Sequence, residues 1–153
     1  MIILIFMSYG FLILFWSFVV GSNTKCLRIF NHPINGALSP FFELPNLHDA
    51  SIYCVDYSPS GNFLATGSND KIVKILKSNS ENGIQVISEM SNHDGTIRAV
   101  KFLPGGSGDP VRLASGGAGD GRVYLTDIES SSVLKYTQVH QILTNFWIYR
   151  RKI

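Results

Sequence analysis

Two stretches of the chain, beginning at His48 and His93, run in step 45 residues apart. In the first, HDASIYCVDYSPSGNFLATGSNDKIVKIL (48–76), three short strands read in order. Residues 52–57 alternate apolar with small or polar side chains, 63–67 form a second apolar run, and 72–76 alternate again. Ser-Pro-Ser-Gly at 58–61 and Ser-Asn-Asp-Lys at 68–71 separate them, turn chemistries that join antiparallel neighbours. In the second stretch His93, Asp94, Ile97, Val100, Phe102 and Pro104 lie over His48, Asp49, Ile52, Val55, Tyr57 and Pro59. An insertion at 105–110 lengthens the first turn. Leu113-Ala114-Ser115-Gly116 then lies over Leu64-Ala65-Thr66-Gly67, Asp120 over Asp70 and Val123 over Val73. A period of this length marks a repeat architecture, because one small sheet cannot bury both its faces and must stack on neighbours.

The same unit extends toward the N-terminus. Shifted by 46 residues, FVVGSNTKCLRIF (18–30) lies over LATGSNDKIVKIL (64–76), with Gly21, Ser22, Asn23, Lys25 and Ile29 meeting identical residues. This competes with another reading. Residues 1–24 carry no charge, and 1–20 form one apolar run, long enough to cross a bilayer as a helix. No basic residue precedes the run, which argues against a cleaved leader. Lys25 and Arg28 would leave the following chain in the cytoplasm. If 17–30 is a strand pair of an earlier copy, only 1–16 remains as an apolar segment outside the repeat, either a membrane anchor or an end foreign to the domain.

Between the units, Pro33, Asn35-Gly36, Pro40 and Pro45 break up a connector. Residues 41–44, 84–90 and 131–137 are candidate outer strands. The division that follows is 1–16 apolar segment, 17–47 partial unit and connector, 48–92 and 93–139 full units, and 140–153 a divergent tail. His140 stands 47 residues past His93 and could open a further copy, but ILTNFWIYRRKI after it matches nothing in the unit.

The unit resembles the WD40 repeat family over roughly residues 17–137: a His before the first strand, a G-[ST]-x-D turn, and a period of about 40–45 residues. The resemblance implies an all-β fold, an incomplete WD40-type β-propeller of four-stranded antiparallel blades carrying an apolar N-terminal segment. It also implies a hydrogen-bonded network in each blade, here His48, Thr66 (or Ser68) and Asp70, and His93, Ser115 and Asp120. The family's tryptophan is missing, with Leu76 and Thr126 in its place. The first copy has Phe30 there, and Thr24 where the Asp belongs. HDGTIRAVKF, GGAGDGRVYLTD and SIYCVDYSPSGNFLATGSNDK are similar to a microtubule-associated branch of the family. That resemblance implies microtubule-associated partners in the cytoplasm and a cytoskeletal location.

No catalytic constellation stands out. GGAGDG at 116–121 has Arg122 where G-x-G-x-x-G needs its last glycine, and it leads into a strand, so no helix N-terminus would receive a phosphate. His48-Asp49 and His93-Asp94 are explained by the repeat better than by a metal site. No G-x-S-x-G elbow occurs. Cys54, mid-strand, lacks a neighbour to activate it, and Cys26 and Cys54 read as free, packed thiols. A net charge of +2, supplied by Arg150, Arg151 and Lys152, gives no footprint for nucleic acid. The absence of an N-x-[ST] sequon weighs against a secreted protein.

The sequence therefore points to a non-enzymatic scaffold for protein–protein interaction, with no cofactor, metal, nucleic acid or small-molecule substrate. The contact positions expected from loop placement are Asp49, Ser51, Tyr53, Asn69 and Lys71 on one unit, and Asp94, Thr96, Arg98 and Gly119 on the next. The alternative is a membrane-held repeat protein anchored through 1–20.

Overall fold

The computed structural model describes residues 3–6, 16–32, 40, 42–79, 83–105, 108–130 and 132–138. The described residues form three four-stranded antiparallel sheets. The first holds β1 (Ile3–Phe6), β2 (Trp16–Gly21), β3 (Leu27–His32) and β4 (Phe42–Leu44). The second holds β5 (Ile52–Tyr57), β6 (Phe63–Ser68), β7 (Val73–Asn79) and β8 (Gly83–Met90). The third holds β9 (Ile97–Phe102), β10 (Arg112–Gly117), β11 (Arg122–Asp127) and β12 (Ser132–Gln138). In each sheet every strand pairs with its neighbour in the chain.

The turns follow from their residues. Between β5 and β6, Ser58 donates its amide to the Phe63 carbonyl at 2.9 Å, and its hydroxyl accepts from the Phe63 amide at 3.0 Å. Gly61 there takes φ 77°, open only to glycine without cost. Between β6 and β7 the Asp70 carboxylate accepts from the Ile72 amide at 3.0 Å, and Lys71 is left-handed at φ 70°. Lys25 (φ 64°) and Gly121 (φ 60°) hold the same place in the first and third sheets. A non-glycine residue in this conformation carries a strain of about 1 kcal/mol.

The sheets stack in chain order through their first strands: β5 packs against β1 and β2 on one side and against β9 on the other. Alternation along a strand gives each sheet a face toward the sheet before it and a face toward the sheet after it. Val19, Leu27 and Ile29 of the first sheet pack with Ile52, Val55, Leu64 and Leu76 of the second. Cys54, Ala65, Val73 and Ile75 on the far side of the second sheet pack with Ile97, Val100, Phe102 and Leu113 of the third. Both junctions close over a glycine. A Cβ on Gly21 would lie 2.6 Å from Ile52 Cγ2, and one on Gly67 would lie 2.5 Å from Ile97 Cγ2 and 2.6 Å from Cys54 Sγ.

The N-terminal run departs from a helical span. Ile3–Phe6 pair with Phe18–Gly21, and β2 continues into β3, so residues 3–6 are part of the first sheet rather than a segment ahead of it. An apolar strand gives hydropathy the same signal as a lipid-facing helix; Val19 on β2 is fully buried. Among the described residues no helix is long and apolar enough to cross a membrane. Residues 1–2, 7–15 and the expected tail at 140–153 lie outside the described residues, as do Phe41 and His140. Both cysteines are buried free thiols.

Candidate functional site

Two histidines anchor the second and third sheets. His48 precedes β5, its ring held between the β6–β7 turn and the middle of β6. Nδ1 stands 2.8 Å from Asp70 Oδ2, and Nε2 stands 2.8 Å from Thr66 Oγ1. Asp70 Oδ2 also accepts from the Asp49 amide at 3.0 Å. Ser68, the sequence alternative to Thr66, instead accepts from the Asp70 amide at 3.2 Å and shapes the turn. Burial lowers the His48 pKa, against the pull of Asp70. Burial alone would raise the Asp70 carboxyl, but the Ile72 amide and His48 bring it below its ordinary value. A neutral imidazole therefore donates from Nδ1 to a carboxylate and accepts from the Thr66 hydroxyl at Nε2.

The third sheet repeats the set more loosely. His93 Nε2 lies 3.0 Å from Ser115 Oγ, and Nδ1 lies 3.4 Å from Asp120 Oδ1 and 3.2 Å from Oδ2. Asp120 Oδ2 is buried with no well-aligned donor. Burial lowers His93, and Asp120 is lowered despite its burial by the Arg122 amide and His93. Here Tyr124 stands edge-on to the His93 ring at 4.6 Å, a favourable aromatic geometry. The aromatic partner thus sits two residues before Thr126, which is itself buried. The first sheet lacks the set, with Val20 at the register position of Thr66.

Each set places a hydroxyl on a histidine that an aspartate backs, but His48, Thr66, His93 and Ser115 are all buried, so neither hydroxyl is open to a substrate. Among the described residues no group of three or more His, Cys, Asp or Glu could hold a metal ion. The networks tie the segment before the first strand of each sheet to the turn between its second and third strands.

The loops they fix form a rim. Asp49, Asn69, Lys71, Asp94, Arg98 and Gly119 are exposed, and Ser51, Tyr53 and Thr96 are half-buried. The structure joins several of them across the two sheets. The Arg98 guanidinium lies 4.5 Å from the Tyr53 ring centroid, a cation–π contact. Thr96 Oγ1 donates to Asn69 Oδ1, and the Asn69 backbone N–H donates to the Ser51 carbonyl at 3.0 Å. Gly119 lies against the loop before β9, where a Cβ would stand 2.7 Å from the Gly95 amide nitrogen. Asp49 takes part through its amide, while Lys71 and Asp94 lie exposed at the same rim. Away from it, outer strands β8 and β12 expose Ile87 and Leu134.

Sequence reasoning missed one feature. Asp56, 2% exposed, lies on β5 facing the third sheet. Its Oδ1 accepts from Lys101 Nζ at 2.7 Å and its Oδ2 from the Phe102 amide at 2.7 Å. Burial raises its pKa, and Lys101 and the Phe102 amide offset part of that. The signal was present: Asp56 and Lys101 occupy equivalent register positions, opposite Ala65 and Ala114. Opposite charges there suit neighbouring sheets.

Stacked four-stranded antiparallel sheets, the second and third each opened by a His–Asp clasp, define a β-propeller type of fold. The sequence profile of the WD domain, G-beta repeat, matches residues 42–76 and 84–127, and the chain belongs to the WD40 repeat family. WD repeat-containing protein 1 of Mus musculus is 30% identical over 117 residues, 74% of this chain and 17% of that protein. WD repeat-containing protein 62 of Sus scrofa is 28% identical over 105 residues, 67% of this chain and 6% of the relative. Anaphase-promoting complex subunit cdc20 of Dictyostelium discoideum is 29% identical over 100 residues, 65% of this chain and 19% of the relative. The chain thus spans less than a fifth of each of these relatives. A chain of a mitotic checkpoint complex crystal structure superposes with a TM-score of 0.67 at 20% identity, over 80% of this chain and 35% of that one. That likeness concerns the fold.

Proposed function

We propose that this chain is a non-enzymatic scaffold that binds other proteins through the rim of its second and third sheets. One observation carries the reading: Tyr53–Arg98, at the starts of β5 and β9, and Thr96–Asn69, in the loops beside them, link the partly exposed rims of two sheets. Rigid loops on a fixed scaffold lose little entropy on binding, and an arginine stacked on a tyrosine is a common anchor at protein interfaces. The names of relatives that are subunits or activators of a larger complex support a protein as partner. Within that reading, microtubule-associated partners and a cytoplasmic, cytoskeletal location rest on the resemblance of the second and third units to that branch of the family. The test is quantitative proximity labelling by the tagged chain in cells, wild type against Tyr53→Ala/Arg98→Glu. Loss of a defined set of labelled proteins, tubulin-associated ones among them, is expected. Labelling unchanged by the double substitution rules out the rim.

A second reading, a membrane-held scaffold, draws on the uncharged residues 1–24. Carbonate extraction separates the two: release of the chain into the soluble fraction removes the anchor.

A further inference from the structure

Tyr53 and Arg98 hold the same place in two successive units, 45 residues apart. The strand ladders treat them alike. In the second sheet Ile52 pairs with Ser68 and Cys54 with Gly67, so Tyr53 has no residue opposite it on β6. In the third Ile97 pairs with Gly117 and Ala99 with Gly116, so Arg98 has none on β10. Each is the extra residue of a β-bulge, a device that re-aims a side chain out of the regular alternation. Ile52, Cys54 and Ile97 beside them are buried in the stack, whereas Tyr53 is half-buried and Arg98 exposed at the rim. The two re-aimed side chains meet, guanidinium over ring, at 4.5 Å.

The charge of Arg98 is unspent. Arg28, Lys74 and Lys101 each hold a carboxylate, at 2.8, 2.7 and 2.7 Å. Among the described residues no carboxylate pairs with Arg98, and its contact is the Tyr53 ring. Stacking holds the guanidinium in place and leaves the N–H groups along its edge for an acceptor. Two residues ahead of the pair in the chain stand Ser51 and Thr96, joined through Asn69. Among the described residues the Ser51 hydroxyl and the Asn69 side-chain N–H groups bond to nothing, so both are further donors at the border of the pair.

The surrounding charge limits what fits. The rim carries Lys71 and Arg98 against Asp49 and Asp94, all exposed. The balance is even, so nothing in the field favours a polyanion. A phosphate, with a charge of about −2, would bring a second negative charge that one fixed guanidinium leaves unmatched between two carboxylates. A single carboxylate matches one guanidinium in charge and in shape, through two parallel N–H···O bonds.

We propose that Tyr53 and Arg98 form an anchor for one Asp or Glu side chain on a peptide segment of the partner. This rests on the rim reading above and adds the chemistry of the contact. Tyr53 fixes the guanidinium, Arg98 donates the fork, and Ser51 and Asn69 supply donors beside it.

Selection of a phage-displayed random dodecapeptide library on the purified full chain tests this. The binders are expected to share one acidic position. In a synthetic binder, replacing that acid by its amide should weaken binding at least about 10-fold in titration calorimetry. On Arg98→Gln the acid and amide peptides should bind alike. On Arg98→Lys, which keeps the charge and loses the fork, the acid should keep only part of its advantage. Should Arg98→Gln misfold, Tyr53→Ala serves in its place: it frees the guanidinium and should weaken the acid peptide more than the amide one. Peptides lost on Tyr53→Ala that share no acid, an acid whose advantage survives Arg98→Gln, or a phosphoserine in its place that binds more tightly would each overturn the anchor and leave the rim as a docking surface. Binders indifferent to both substitutions, or no binders at all, would overturn the rim with it.

Discussion

The junction between the first and second sheets and the junction between the second and third share one design and differ in their fastenings. Each closes over a glycine that admits an isoleucine from the following sheet. The first is then tied by main chain: the Ile52 amide donates to the Ser22 carbonyl at 3.2 Å, and the Leu47 amide to the Lys25 carbonyl at 3.0 Å. The second is tied largely by side chains, through Asp56–Lys101, Thr96–Asn69 and Arg98–Tyr53. Ile5 holds the Asp56 register position in the first sheet. Stacking is therefore a property of the repeat, whereas the charged fastening belongs to one junction alone.

Substitutions can pull the two junctions apart. The largest effect is expected for Lys101→Met, which strands the Asp56 carboxylate. With Lys101 half-exposed, a loss of about 2–3 kcal/mol in urea unfolding at pH 7 is expected. The same substitution should cost less at pH 4, where Asp56, raised by burial, takes up a proton. Adding Asp56→Asn should return part of the loss. An equal cost at both pH values would mean that packing, not charge, fastens this junction.

Next in size are the sockets. Gly67→Ala meets three atoms closer than 3.0 Å and should cost about 2 kcal/mol. Gly21→Ala meets one and should cost about 1 kcal/mol. Reversed values in parallel denaturation curves would contradict the packing described.

The clasps come third. Thr66→Val should cost about 1.5 kcal/mol and Ser115→Ala about 1 kcal/mol, following the shorter contacts at His48. Both histidines are lowered below their ordinary pKa by burial, so the unfolded chain binds more protons below about pH 6.5 and stability falls on acidification. The melting temperature should drop between pH 7 and pH 5. A flat profile there would place the histidines in a more solvated setting. The smallest change is expected at Lys71→Gly, where relief of a left-handed residue and the added freedom of the unfolded chain nearly cancel, within about 0.5 kcal/mol.

Much of this was readable in the chain because the repeat states its own alignment. Ile52–Tyr57 forms the expected strand with the same ends, and His48, Thr66 and Asp70 meet as the motif implies. The first strand was not readable, because an uncharged apolar run gives the same cue for a strand as for a membrane helix. Asp56–Lys101 was hidden because its partners are 45 residues apart and meet only when sheets stack. Tyr124 was passed over because the family motif directs attention to position 126; its contact with His93 follows from the register that sets it opposite Ser115.

Cys54 gives this junction a clock. Its sulfur lies beside Gly67 beneath Ile97, and burial pushes its thiol up to about 12. The closed stack should therefore be inert to alkylating reagents, which need a thiolate in water. Each modification of Cys54 then records one moment when the second and third sheets part, and its rate, set against reagent concentration, converts directly into the free energy of that opening. A single native side chain thus makes the breathing of one seam countable without altering the molecule.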